Sequence, residues 1–336
     1  MTQASSDPEV LIASFRHFQL IYVSLRLDLP RHLSSGPKTL EELANRTHVP
    51  ADRLGRLVRG LLWAGMLESV PDGFILSPAT RVFVDSAAGS PADQILFQGR
   101  FLYSAWGRLE DFMLRGEVPY RQAHGAGIFE QIAASKELAA RFNRPMGPRS
   151  AEYSAAVAGL PLFDRCRRVV DVGGGEGILV ADLLAAHAAT RGVIFDLPTV
   201  RDSAEQVIRE RQLGSRCEFI AGDMFAGVPA GGDVYLLKWI LHDWAEERAV
   251  LILRRVRESM TESARLVVIE RVMPGELAQG RNLAQADLNM LCLNGGAERT
   301  EREYAALLRR GGLAVESIVK LENRYGFHAI VAVRSG

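Results

Sequence analysis

The chain has 336 residues, 48% hydrophobic and 24% charged, a length that fits two globular cores. Forty lysines and arginines balance forty aspartates and glutamates, so no net charge draws it to nucleic acid or to an anionic membrane. Its three cysteines, Cys166, Cys217 and Cys292, form no CxxC pair, which argues against a zinc or disulfide framework and fits a reducing, cytoplasmic setting.

The opening MTQASSDPEV has no basic stretch leading into an apolar run, and no apolar run is long enough to cross a bilayer. Neither a secretory leader nor a membrane span is expected. Residues 9–27 spread Val10, Leu11, Phe15, Phe18, Ile21, Val23, Leu25 and Leu27 over more than one side of a helix, an apolar surface broad enough for burial against a second subunit. Thr39 and Glu42 make a capping box that opens a short helix over 40–46. Pro50 starts a further helix through Leu62, and LESVPDGFILS reads as a hairpin turning at Asp72-Gly73. Together these describe a winged-helix module. Arg53, Arg56 and Arg59 suggest DNA reading, but they recur along one solvated face with Asp52 and Glu68 nearby, in a chain of zero net charge.

The second half alternates strand and helix. Strands are expected at 167–172, 192–196, 217–223, 233–241 and 264–270, with helices at 177–188 and over EERAVLILRRVRESM. Thr300 and Glu303 cap another helix, and strands near 313–320 and 327–333 close the chain as an antiparallel edge. Such alternation implies an α/β fold with a parallel open sheet. The domain boundary is expected at 150/151, just ahead of the aperiodic GLPLFDRC.

VVDVGGGEG follows the first of these strands. Glycine in an ordered segment costs roughly 0.5–1 kcal/mol relative to alanine, so a cluster of four needs a reason. The dinucleotide fingerprint would need a third glycine where Ile178 stands, which disfavours a nicotinamide oxidoreductase. The stretch fits D-x-G-x-G-x-G instead, through Asp171, Gly173, Gly175 and Gly177, and resembles the first motif of class I S-adenosylmethionine-dependent methyltransferases. Asp196 closes the second strand, where an acid can accept two ribose hydroxyls. Asp223 and Met224, in GDMF, end the third. His242 lies just past the fourth strand, at the edge where open α/β sheets bind ligands, and Glu270 and Glu298 are carboxylates that could orient its imidazole.

DVGGGEG, FDLPTV, GDMF, LLKWILHDW, VVIERVMP and GGAERT occur in an order similar to that of small-molecule O-methyltransferases of the caffeate, hydroxyindole and bacterial polyketide type. The resemblance runs the length of the chain and includes HGAGIFEQIAASKELAARFNRPM. It implies a Rossmann-like class I methyltransferase sheet over 151–336, with residues 1–150 forming a helical, winged-helix-like dimerisation and substrate-lid domain. It further implies His242 as general base flanked by Glu270 and Glu298. S-adenosyl-L-methionine contacts would fall to Asp171, Gly173, Gly175, Asp196, Leu197, Asp223, Met224, Phe225, Lys238 and Ser150. Phe142, Met146, Asp243, Met290 and Asn294 would face the substrate, although DLNMLCLNGG is one residue shorter than the plant pattern there. The implied activity is methylation of a phenolic hydroxyl on an aromatic small molecule in natural-product metabolism, by a homodimer using no metal, nucleic acid or membrane. N- or C-methylation, a non-methylating relative of the same fold, and a ligand-sensing winged-helix regulator are the alternatives.

Overall fold

A computed structural model describes residues 8–143, 153–275, 281–322 and 326–335. The chain divides into two compact units, Met1–Tyr103 and Ser104–Gly336. The division therefore falls earlier than the 150/151 boundary expected from the sequence.

In the first unit, α1 (Pro8–Arg26) and α2 (Leu29–Leu33) precede α3 (Leu40–Thr47) and α4 (Ala51–Trp63). The capping box is present: the Glu42 N–H donates to Thr39 Oγ1 at 3.2 Å, and the Thr39 N–H to Glu42 Oε2 at 2.7 Å. Strands β1 (Leu67–Val70) and β2 (Gly73–Leu76) pair antiparallel about Asp72-Gly73. Apolar residues at helical spacing meet in one core, which holds Leu29, Leu43, Leu54, Val58, Leu61 and Leu76. The outer side of α1 leaves Leu11, Ile12 and Phe15 exposed. This unit ends with α5 (Pro91–Phe97), and the division falls within α6 (Tyr103–Trp106).

Four short helices follow: α7 (Leu109–Arg115), α8 (Pro119–His124), α9 (Ile128–Ala134) and α10 (Lys136–Asn143). They read as a continuation of the helical first half, yet they belong to the second unit. Helix α8 packs against α15 (Arg281–Asn294), and the Trp106 indole donates to Asn289 Oδ1 of that helix at 2.9 Å. Helical periodicity shows that a face is apolar without showing what covers it.

Residues 153–158 form α11, which leads into the sheet. Its strands are β3 (Arg168–Val172), β4 (Arg191–Asp196), β5 (Cys217–Ala221), β6 (Val234–Lys238), β7 (Arg265–Met273), β8 (Arg299–Thr300), β9 (Leu313–Lys320) and β10 (Phe327–Arg334). Their order is β5-β4-β3-β6-β7-β10-β9, with β8 beside the end of β7. The pairs from β5 to β7 are parallel, and β10 runs antiparallel to both neighbours. Helices α12 (Ile178–Ala186), α13 (Arg201–Glu210), α14 (Glu246–Ser259) and α16 (Glu301–Arg310) complete the unit.

Both faces of the central strands are covered, so they read as unbroken apolar runs rather than alternating ones. Val169, Leu236, Val267 and Ile269 share one core cluster, and Val170, Tyr235, Leu237 and Val268 the other. Strand order reverses between β3 and β6, the place where open α/β sheets leave a crevice at their carboxyl edge. Strand β6 stops at Lys238, short of the expected 241, because Trp239 takes a φ of 55° and breaks the ladder. Among the described residues no helix is long and apolar enough to cross a membrane.

Leu236 is fully buried at the middle of β6. Leu236→Ala is expected to lower the unfolding free energy by about 2–5 kcal/mol, read as an earlier midpoint in chemical denaturation.

Candidate active site

The turn after β3 carries Gly173 at φ 72° and Gly175 at φ 58°, a backbone that residues with a Cβ rarely adopt. A side chain at Gly173 would also strike Ile240, whereas at Gly175 the space is open. Bare main chain thus faces the crevice, with the Gly175 N–H donating to Asp196 Oδ2 at 2.7 Å. The Leu197 N–H donates to Asp196 Oδ1 at 2.6 Å, so each carboxylate oxygen keeps a lone pair for a further donor.

Asp171, one turn back, is completely buried, and neither of its oxygens has a hydrogen-bond partner. Burial pushes its carboxyl up to about 6, Lys238 opposing and Asp196 adding. Burial likewise raises Glu176 and lowers Lys238, the latter against Asp171, Asp196 and Glu176. Three carboxylates thus face one ammonium, an excess of negative charge that suits a cationic guest. An amine for Asp171, vicinal hydroxyls for Asp196 and a chain lying along Gly173–Gly175 would fit this cradle.

The second cluster forms where β6 breaks. Oε1 of Glu270 accepts the N–H groups of Ile240 (3.0 Å), Leu241 (2.9 Å) and His242 (3.3 Å). Its Oε2 lies 3.5 Å from His242 Nδ1, and Glu298 Oε1 lies 3.2 Å from the same nitrogen. The hydrogen bond to Glu298, with the charge of Glu270 close by, holds the hydrogen on Nδ1, so Nε2 gains or loses the second proton. Asp243 Oδ1 lies 3.7 Å from Nε2, beyond hydrogen-bond reach.

Burial disfavours the charged imidazole, but Glu270, Asp243 and Glu298 outweigh it and push its pKa up to about 10. Burial pushes Asp243 up to about 7, His242 opposing and the two glutamates adding. Burial also raises Glu270, against the pull of His242. Glu298 is held below the usual carboxylate range despite its burial, by His242 and by Arg271. The donor atoms of His242, Glu270 and Glu298 lie within 4.8 Å of one another, and the imidazolium itself supplies a cation in their midst.

Several of the holding groups escape a sequence reading. Arg271 donates to Glu298 Oε1, and Asp287 Oδ1 accepts the Glu298 N–H at 2.8 Å. Buried Arg299 donates to the carbonyls of Leu241, Trp244 and Ala297. Gly296 lies so close to the His242 carbonyl that an added Cβ would sit 2.0 Å from it, which explains the second of the paired glycines before Ala297. VVIERVMP, DLNMLCLNGG and GGAERT contain these residues without showing what they hold.

Of the expected substrate residues, Asn294 donates from Nδ2 to the Asp243 carbonyl at 2.9 Å, and the Met290 carbonyl accepts from Gly296. Phe142 meets Phe129 edge-on, Phe129 stacks on Trp244, and Phe225 meets Trp244 edge-on with Arg248 over its ring. Asp223 is exposed, its Oδ1 accepting the Phe225 N–H, and Met224 is half-buried beside this aromatic group. Met146 and Ser150 lie outside the described residues.

Residues 106–314 match the model of the O-methyltransferase domain family. The mitomycin biosynthesis 6-O-methyltransferase of Streptomyces lavendulae is 35% identical over 299 residues, covering 88% of this chain and 85% of that protein. The structure of the mitomycin 7-O-methyltransferase MmcR superposes with a TM-score of 0.88 at 32% identity, covering 99% of this chain and 98% of that one. A second, of the neocarzinostatin O-methyltransferase NcsB1 in complex with S-adenosylmethionine and 2-hydroxy-5-methyl naphthoic acid, gives 0.84 at 27% identity, covering 94% and 95%.

Glu270→Gln keeps an oxygen for the three peptide N–H groups and removes the charge. The imidazole is then expected to titrate about 1–3 units lower, as read by nitrogen NMR of labelled histidine. His242 stabilises the wild-type fold fully below about 6.5 and loses that contribution as pH rises through about 10. The same substitution should narrow that window.

Proposed function

The chain belongs to the O-methyltransferase domain family, and from that premise we propose that it methylates a hydroxyl group on an aromatic small molecule of natural-product metabolism, using S-adenosylmethionine. The observation that carries this reading is the imidazole of His242, held by carboxylates at Nδ1 so that Nε2 is left for the acceptor. Bound at the turn after β3, S-adenosylmethionine supplies a methyl group already activated on a positively charged sulfur. Asp171 would hold its ammonium, Asp196 its ribose hydroxyls, and the bare backbone of Gly173 and Gly175 its amino-acid end. Asp223, Met224 and Phe225, next along the crevice, would take the adenine.

With the methyl group activated, two tasks fall to the protein. One is alignment, which contributes up to ~7–11 kcal/mol where reacting atoms are held in line. The other is the acceptor's proton. An ordinary imidazole lies roughly 5 kcal/mol below a simple phenolate in proton affinity. The carboxylates around His242 close that gap by pushing the ring to about 10. They also leave the ring protonated at neutral pH, so it receives an acceptor best as the anion and pairs with it as imidazolium. An acidic hydroxyl on an electron-poor ring, such as a quinone or phenazine, meets that condition; a simple phenol instead gives its proton to the small fraction of rings that is neutral. The exposed Leu11, Ile12 and Phe15 support α1 as the surface of a homodimer.

The test is incubation with methyl-labelled cofactor and a panel of phenols, hydroxyquinones and hydroxyphenazines, read by mass spectrometry. An O–CH₃ product is expected; an N–CH₃ or C–CH₃ product, or none, contradicts the reading. His242→Ala should lower turnover of a phenol near pKa 10 by ~10²–10⁴ with cofactor affinity unchanged. Asp171 titrates at about 6, and its charged form is the one that attracts an ammonium. Cofactor affinity by calorimetry should therefore weaken as pH falls below about 6, and Asp171→Asn should abolish that dependence.

A further inference from the structure

One oxygen, Glu298 Oε1, accepts from both the His242 ring at Nδ1 and the Arg271 guanidinium. The other oxygen of Glu298 and the Nε of Arg271 are buried without partners, so this shared atom is where the carboxylate, ring and guanidinium meet. Arg271 follows Glu270 directly on β7, and Glu298 comes from the loop ahead of α16, held by Asp287 of α15. The cation and the imidazole therefore compete for one negative atom.

The neighbouring charges give that competition its direction. Glu270, Asp243 and Glu298 all favour a proton on the ring. Arg299 is the other buried cation here, but its guanidinium donates to the main-chain carbonyls of Leu241, Ala297 and Trp244. His328, opposite Glu270 on β10, engages the Gly326 carbonyl through Nδ1. The Tyr304 hydroxyl from α16 is buried among these acids and raised well above its usual range, so it adds no charge. Arg271 alone among these groups sets a permanent positive charge against a carboxylate that touches the ring.

We propose that Arg271 is a positioning residue for the reaction: by occupying Glu298 Oε1 it weakens the hold of the acids on the His242 proton and so brings the ring's proton exchange closer to neutral pH. This rests on the methyl-transfer reading for its consequence in catalysis, while its electrostatic content can be measured without turnover. The conservative replacement, lysine, keeps the charge but offers it as a point rather than a planar fork.

The experiment is a histidine NMR titration of wild type, Arg271→Met and Arg271→Lys, with the His242 signal assigned by its loss in His242→Gln. The midpoint is expected to rise by about one unit or more in Arg271→Met and by less in Arg271→Lys. At pH 8, turnover of a simple phenol, whose proton only the neutral ring can take, should fall about tenfold in Arg271→Met and recover as pH rises, with the cofactor KM unchanged. If Arg271→Met does not fold, the Lys variant still decides through its smaller upward shift. An unchanged midpoint, or a lower one as loss of a mere prop for Glu298 would give, overturns the proposal. The titration stands whether or not an acceptor is found, so failure of the methyl-transfer reading is told apart by the absence of labelled product from wild type.

Discussion

The histidine at the carboxyl edge of the sheet is placed by one buried carboxylate. Glu270 has no exposure to solvent, and its Oε1 gathers three successive peptide N–H groups at the point where β6 gives out. Those donors would otherwise be orphaned by the break at Trp239, at a cost of about 1–3 kcal/mol for each left unmet. Collecting them on an anion makes the bonds charge-assisted and turns the chain so that His242 comes back over the same carboxyl group. The carboxylate that gathers the N–H groups freed by that break thus also sets the ring's position and the field it feels.

Two charge clusters result, one on each side of the switch point, both built on β6. Lys238 ends the strand among Asp171, Asp196 and Glu176; four residues later His242 stands among Glu270, Asp243 and Glu298. Trp239 lies between them, its ring 6.0 Å from the Lys238 ammonium and 6.5 Å from the imidazole. Each cluster carries more acid than base, and each would be relieved by a cation or a shared proton. A fold that holds such excess charge inside does so at the expense of stability, the usual mark of a site shaped for a ligand.

The sequence disclosed this arrangement where signals are local. The capping boxes at Thr39 and Thr300, the Asp72-Gly73 turn, the glycines after β3 and the acids at strand ends each act within a few residues, and each is found in the structure. Glu298 could equally have been a solvated acid ahead of a helix; only its burial against His242 shows otherwise. Arg271, Asp287 and Arg299 lie inside VVIERVMP, DLNMLCLNGG and GGAERT, but their roles were out of reach because their partners are 27, 11 and 58 residues away. Helices α7–α10 illustrate the same limit at larger scale: their faces were legible and the unit they join was not.

On the proposed reading, the acids beside Nδ1 leave Nε2 of His242 as the atom that meets the acceptor. A ternary crystal structure with S-adenosylhomocysteine and a hydroxylated aromatic acceptor tests it most directly. The acceptor oxygen is expected within about 2.6–3.2 Å of Nε2, with Nδ1 still on Glu298 and beside Glu270. An acceptor oxygen lodged elsewhere, or a ring turned so that Nε2 faces the glutamates, would contradict it.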